Sequence, residues 1–264
     1  MMYTFEKIKV DQPLIHCMTN VVVTNFTANG LLAIGASPVM AYAKEEVQDL
    51  AQIAGALLLN IGTLNNEQVD AMVLAGQAAN KTGVPVILDP VGAGATAYRT
   101  ETTKRILSEV NFAVLRGNGG EVAALLGESG MIKGVDGSTT LPKDVLAKKA
   151  KEIFNTITVI TGETDVVTDG EQTYEIANGH PWMTKVVGTG CLLGAVLGAF
   201  LSVNKENPVQ TLAEGLAFYG IAGEIAYEQA KDKGIGTYQE AFLNVLHQMN
   251  VEQYEQYKKF SIIE

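Results

Sequence analysis

Short, unbroken apolar runs alternate along the chain with longer stretches in which apolar positions recur at helical spacing. The runs predict strands over Pro38–Ala41, Ala56–Ile61, Val84–Leu88, Phe112–Leu115 and Ile157–Ile160. Between them the spacing predicts helices over Val21–Ala33, Lys44–Ala54, Asn66–Thr82, Thr100–Val110 and Asp144–Phe154, the last with Asp144 as a candidate cap just after Pro142. Strands that are apolar on both faces and separated by helices make a parallel sheet covered on both sides. Two further runs, Asp165–Thr168 and Gln172–Ala177, flank Asp169-Gly170, a hairpin turn pair, and predict an antiparallel edge on that sheet. Beyond Gly188 the pattern is helical, over Thr189–Val203, Pro208–Gln229 and Tyr238–Gln248. No linker, repeat or low-complexity tract interrupts it, so the expectation is one α/β domain over residues 1–264.

Composition narrows the range of partners. The 264 residues carry a net charge of −10, which argues against a nucleic-acid or anionic-membrane surface, where phosphates are met by clustered Lys and Arg. An anionic small ligand remains open, because backbone N–H groups and helix N-termini bind phosphate without net positive charge. With 47% hydrophobic and 18% charged residues, disorder is excluded. Cys17 and Cys191 are too few for a disulfide framework, and the amino end shows no signal-peptide pattern, so a reducing, cytoplasmic setting is expected. The stretch from Val186 to Asn204 has no charge, yet it opens with the turn signal Val-Gly-Thr-Gly. The helix that remains is too short for a bilayer of about 30 Å and reads as a buried core helix.

Open parallel sheets bind ligands beyond the carboxyl ends of their strands. Four predicted strands are followed there by Asn60-Ile-Gly-Thr63, Asp89-Pro-Val-Gly-Ala-Gly94, Arg116-Gly-Asn-Gly-Gly-Glu121 and Thr161-Gly-Glu163. Left-handed turns use glycine in any case, but four such loops at one sheet edge, carrying Asp89, Arg116 and Glu121, point to a site. Gly188-Thr-Gly-Cys-Leu-Leu-Gly194 opens an apolar helix, so free N–H groups and the positive end of the helix dipole face whatever lies before Thr189. The spacing matches neither the phosphate loop that ends in Gly-Lys-Ser/Thr nor the dinucleotide fingerprint. His16, His180 and His247 are scattered without metal-ligand spacing, and Trp182 stands alone.

The segment from Pro13 to Met40 (PLIHCMTNVVVTNFTANGLLAIGASPVM), with LDPVGAG, LRGNGGE, VITGETDVVTDG and MTKVVGTGCLLGA, resembles the hydroxyethylthiazole kinases of the ribokinase-like superfamily. Asn118-x-x-Glu121 and the Gly-Thr-Gly motif are shared across the superfamily, whereas the His-Cys-Met-Thr-Asn run and the Cys at 191, where most members carry Asp, single out this family. The resemblance implies a three-layer ribokinase-like fold with a mostly parallel central sheet, an antiparallel edge and helices on both faces. It also implies ATP-dependent phosphorylation of the primary alcohol of 4-methyl-5-(2-hydroxyethyl)thiazole in thiamine salvage, with Mg²⁺, in a homotrimer with sites near subunit interfaces.

Carried over residue by residue, the family pattern sets Arg116 and Thr161 against the ATP phosphates. Gly190 joins them in the anion cradle of Gly188 to Cys191. Met40 and Gly188 fall at thiazole-binding positions with Asn20 nearby, Asp89 and Glu121 match an acidic pair linked to magnesium, and Cys191 lies beside the attacking hydroxyl. The residue types suit these tasks. Phosphoryl transfer needs a cation, a metal holder and an anion cradle, Arg116 is a permanent forked donor, and Mg²⁺ takes one or two carboxylates. Plainer readings stay open at several positions. Arg116 also suits a surface ion pair, Glu121 a first helical turn, Asp89 a turn cap, and Met40 and Thr161 packing or a turn. Cys17 suits a buried small residue, His16 either pocket lining or a loop, and Lys185 either phosphate or solvent. A helix N-terminus is expected to raise the thiolate fraction of Cys191 and the negative charge of bound ATP to lower it again, which makes the sulfur a mediocre base for an alcohol. Rival readings are a pyridoxal or hydroxymethylpyrimidine kinase, which normally carries Asp where Cys191 stands, and a non-catalytic nucleotide-binding sensor.

Overall fold

Buried strands can satisfy their backbone groups only by pairing with one another. In the computed structural model, which describes residues 2–128 and 141–263, they do so in a nine-stranded sheet. The chain opens with α1 (Thr4–Asp11), β1 (Leu14–Met18), α2 (Thr24–Ile34), β2 (Ser37–Val39), α3 (Val47–Ile53) and β3 (Ala56–Asn60). Then follow α4 (Asn66–Thr82), β4 (Val86–Asp89), α5 (Ala97–Glu109), β5 (Val114–Asn118), α6 (Gly119–Leu125), α7 (Lys143–Phe154) and β6 (Ile157–Thr161). The hairpin strands are β7 (Asp165–Thr168) and β8 (Thr173–Ile176). A 3₁₀ turn over Pro181–Lys185 leads into α8 (Thr189–Val203), α9 (Pro208–Ala230), α10 (Ile235–Gln248), α11 (Val251–Tyr257) and β9 (Phe260–Ile262).

Across the sheet the order is β2-β1-β3-β4-β5-β6-β7-β8-β9. Pairing is parallel as far as β6 and antiparallel from β6 to β9. The order reverses between β1 and β3, the switch point at which open α/β sheets form their crevice. Helices cover both faces. On β3, Ala56 and Leu58 pack toward α2, α8 and α9, whereas Leu57 and Leu59 pack toward α3 and α4. The apolar α8 is buried along most of its length and lies across β1, β3 and β4. Among the described residues no helix is long and apolar enough to cross a membrane.

The helical pattern locates α4 and α8 to the residue, and Asn65 caps α4 by accepting from the Gln68 N–H at 2.9 Å. The Asp169-Gly170 turn forms as expected, with Asp169 Oδ1 accepting from the backbone of Glu171 and Gln172 and with Gly170 at φ +92°. Asp144 is not the cap of α7. Pro142 holds the cap position and Asp144 sits in the first turn, where its charge favours the helix dipole. β5 runs through Arg116-Gly117-Asn118, read from the sequence as loop, because its ladder with β6 continues over Arg116↔Val159, Gly117↔Ile160 and Asn118↔Thr161. β1 escapes the pattern altogether. His16 interrupts its apolar run, yet the ring is fully buried because Nε2 pairs with the Ala41 carbonyl at 3.0 Å. The short α1, α11 and β9 also lie outside the sequence expectation.

Candidate active site

Six parallel strands end on one edge, and each delivers a residue to it. Asn20 follows β1, Met40 follows β2, Asn60 and Asp89 close β3 and β4, Arg116 and Asn118 lie at the end of β5, and Thr161 closes β6. The ladder sets Asn60 opposite Asp89 and Asn118 opposite Thr161. The four glycine-bearing loops do cluster. The first turn of α8 completes the edge: a side chain at Gly190 would meet the Arg116 guanidinium at 3.8 Å, so that turn and its free amides lie beside the cation.

Arg116 is not a surface residue. Its side chain is only 11% exposed; Nη1 lies 3.5 Å from Asp89 Oδ2, and Nη2 donates to Thr161 Oγ1 at 2.9 Å. Nε is buried with no partner, so the guanidinium has donor capacity to spare. Burial opposes its charge, but Asp89 and Glu121 outweigh that and its pKa is raised. Asp89 is 1% exposed, and burial pushes its carboxyl up to about 7 against the opposing pull of Arg116, with Glu121 adding to the rise and an Asn60 hydrogen bond countering it. Glu121 is raised too, by burial, although backbone hydrogen bonds resist. One of its oxygens accepts from Asn118 N at 2.9 Å and the other from Gly92 N at 2.8 Å, while Asn118 Oδ1 accepts from Glu121 N. Glu121 therefore closes a capping box on α6 and ties the loop after β4 to it.

Asn20 is buried, and its Nδ2 donates to Asn60 Oδ1 at 2.9 Å and to Cys191 Sγ at 3.4 Å. Burial pushes the Cys191 thiol up to about 11, with Asp89 adding to the rise and Asn60, Arg116 and Asn20 opposing it. The helix N-terminus alone predicts the opposite direction. Desolvation and a nearby carboxylate win because the sulfur lies among buried groups. Cys17 is fully buried and pushed up to about 12, as befits a core residue. Gly188 caps α8 in the left-handed region at φ +98°, and a β-carbon there would come within 2.9 Å of Phe26. Met40 is partly buried against the core.

Among the other singled-out residues, Lys185 is exposed, and His16 holds the Ala41 carbonyl, next to Met40. His180 stacks on Tyr227 with centroids 3.7 Å apart, and His247 pairs with the Ala33 carbonyl, both away from this edge. Two contributors, Tyr219 and Arg99, escape the sequence reading, and a third, Asn60, enters it only as the first residue of a glycine-bearing loop. Tyr219 donates to the Thr189 carbonyl at 2.6 Å and holds the start of α8. Arg99 donates to the carbonyls of Ile61, Gly62 and Val91, pinning the loops after β3 and β4 together. Asn60 links Asn20 to Asp89, and its one sequence signal is a polar residue closing an otherwise apolar strand.

Among the described residues no group of three or more His, Cys, Asp or Glu is disposed to hold an ion. The two carboxylates do fit a hydrated Mg²⁺ that arrives with a triphosphate. Each Glu121 oxygen keeps a second lone pair beyond its backbone bond, and Asp89 is a buried oxygen donor beside it.

The arrangement joins a buried cation, helix-start amides, two carboxylates and a protonated thiol at the switch point of a parallel sheet. The Hydroxyethylthiazole kinase family matches residues 5–252. A hydroxyethylthiazole kinase of Halalkalibacterium halodurans is 58% identical over 257 residues, 97% of this chain and 98% of that protein. The solved hydroxyethylthiazole kinase structure from Pyrococcus horikoshii superposes with a TM-score of 0.89 at 40% identity, covering 99% of this chain and 98% of that one. A ribokinase-like superfamily protein from Enterococcus faecalis shares the fold alone, with a TM-score of 0.63 at 13% identity over 91% of this chain and 88% of its own. A match over nearly the whole length, on a chain whose buried Arg116–Asp89 pair faces the Gly-Thr-Gly-Cys turn, places this protein in the hydroxyethylthiazole kinase family.

Proposed function

We propose that the chain transfers the terminal phosphoryl group of ATP to the primary alcohol of 4-methyl-5-(2-hydroxyethyl)thiazole, the thiamine-salvage reaction of its family. In that step the bond from the γ-phosphorus to the bridging oxygen of ADP breaks, a phosphorus–oxygen bond to the alcohol forms, and the hydroxyl proton leaves. The observation that carries the reading is the first turn of α8 facing Arg116, with Cys191 at that same turn. In-line transfer through a loose transition state asks for positioning and charge neutralisation rather than a strong base.

Arg116 and Thr161 receive the ATP phosphates, and the amides around Gly190 receive the migrating group. Supporting this, the guanidinium has a spare donor and lies against α8. Met40, Gly188 and Asn20 hold the thiazole ring, Met40 as a polarizable wall. Asp89 and Glu121 hold Mg²⁺, whose chemistry when bound is neutralisation of charge on the β- and γ-phosphates. The Cys191 thiol is protonated at neutral pH, so it orients the hydroxyl by hydrogen bonding and is a poor base for it. The reading extends to one ribokinase-like domain over residues 1–264, a cytoplasmic enzyme and a homotrimer. The last is supported by Val21, Val22 and Val187, which are 69%, 65% and 66% exposed and flank the site. An ADP-release assay with hydroxyethylthiazole, pyridoxal and hydroxymethylpyrimidine in parallel tests the function. Turnover is expected with the thiazole above the other two alcohols, and a preference for either of those would overturn the substrate assignment.

A further inference from the structure

Asn60 ends β3 at the switch point and is 1% exposed. A strand end in solvent needs no amide, but here each end of the side chain is engaged. Its Oδ1 accepts from Asn20 Nδ2 and from Gly62 N, both at 2.9 Å, and its Nδ2 donates to Asp89 Oδ2 at 2.7 Å. The two donors on Oδ1 set the orientation of the amide. Turned over, its carbonyl would face the carboxylate of Asp89, an acceptor against an acceptor. Asn20 in turn uses its second N–H on Cys191 Sγ at 3.4 Å, so Asn60 reaches the thiol through Asn20. A β-carbon at position 62 would come within 2.6 Å of Asn20 Nδ2, so Gly62 leaves the room that this contact needs.

We propose that Asn60 is a positioning residue that locks the Asp89 carboxylate and the Cys191 thiol into one fixed arrangement. It touches neither the nucleotide nor the alcohol in this account; it acts by holding the groups that do. The inference rests on the phosphoryl-transfer reading above. A buried amide bonded at three points resists rotation, so the hydroxyl-orienting thiol and the acid beside Arg116 keep their separation through the reaction. Loss of such alignment is felt in turnover, because small displacements of reacting groups cost far more rate than affinity.

Steady-state kinetics of the full chain with ATP and hydroxyethylthiazole tests this on Asn60→Asp, Asn60→Ser and Gly62→Ala. Asn60→Asp keeps the shape and sets two acceptors 2.7 Å apart. Gly62→Ala leaves Asn60 in place and displaces Asn20, so it reads the same device if the aspartate variant fails to fold. The expected result for the two Asn60 variants is a kcat lower by about 10- to 100-fold, with both KM values within about threefold of wild type, whereas Gly62→Ala, which displaces the thiazole-facing Asn20, should lower kcat similarly and raise the thiazole KM as well. In a Cys191→Ala background, Asn60→Ser should cost less than it does in the wild type, since the thiol it helps to hold is gone. Variants that raise KM with kcat unchanged, or that add their cost fully to that of Cys191→Ala, overturn the proposal. A wild-type chain without turnover on the thiazole overturns the phosphoryl-transfer reading itself. An active wild type matched by all three variants overturns the role of Asn60 alone.

Discussion

At Cys191 two local influences oppose each other. The first turn of α8 offers a positive dipole end, while burial and the Asp89 carboxylate penalise a thiolate, and the thiol pKa rises from 9.0 to about 11. At a fixed pH below 9 the thiolate fraction is thus about 100-fold lower than for a free thiol. Iodoacetamide labelling of Cys191 should accordingly be slow at pH 8 and climb as pH approaches 11; fast labelling at pH 8 would show an ionised sulfur. A protonated thiol that only orients the hydroxyl also sets the size of a mutational effect. Cys191→Ala should slow turnover by about 10- to 100-fold without abolishing it. Cys191→Asp, with a carboxylate in the same place, should retain activity. Saturating-substrate kcat measurements on both variants check this, and an alanine variant equal to wild type would reduce Cys191 to packing.

The element that decides the site is α8. Its apolar length buries it across the sheet, its first turn faces Arg116, and Tyr219 fixes that turn through the Thr189 carbonyl. Gly188 starts it from a backbone conformation that side chains resist, φ +98°, with Phe26 2.9 Å from any β-carbon. Gly188→Ala should therefore cost about 1–3 kcal/mol of stability. It should also raise the KM for the thiazole, which the proposed site sets against Gly188. Thermal unfolding and KM measurements read the two effects separately, and an unchanged KM would remove Gly188 from the thiazole pocket. α6 carries a second device of this kind, the Asn118–Glu121 capping box, which uses a candidate metal-holding carboxylate to start a helix. The motif Asn-x-x-Glu is visible in the sequence, but the bond from Gly92 N to the same carboxylate joins residues 29 apart and is not.

At the scale of the whole molecule, the proposed homotrimer makes a prediction about the exposed valines beside α8. Val21, Val22 and Val187 stand in solvent next to Val23 and Gly188, where a β-carbon at position 188 would lie 3.3 Å from Val23. Sedimentation should give a particle near three times 28.1 kDa, and a monomer at micromolar concentration would refute the trimer. Val22→Asp should shift the equilibrium toward monomer if that face is covered.

Although Asp89, Arg116 and Thr161, read as loop residues, lie in β4, β5 and β6 and Glu121 lies in α6, the periodicity of apolar residues by itself determined the alternating sheet and helices, the bounds of α4 and α8 and the antiparallel edge. These properties are local: burial on both faces writes unbroken apolar strands, one apolar stripe writes a helix, and a turn needs its glycine. Family motifs named the candidate residues but not what surrounds them. Only the tertiary structure decided that Arg116 pairs with Asp89, that Asn60 connects Asp89 to Asn20, and that the Cys191 thiol rises rather than falls. It also buried His16 in a strand that the pattern does not reveal. Charge and hydrogen bonding depend on which groups meet and how far water is excluded, and both are set by parts of the chain that lie far apart in sequence.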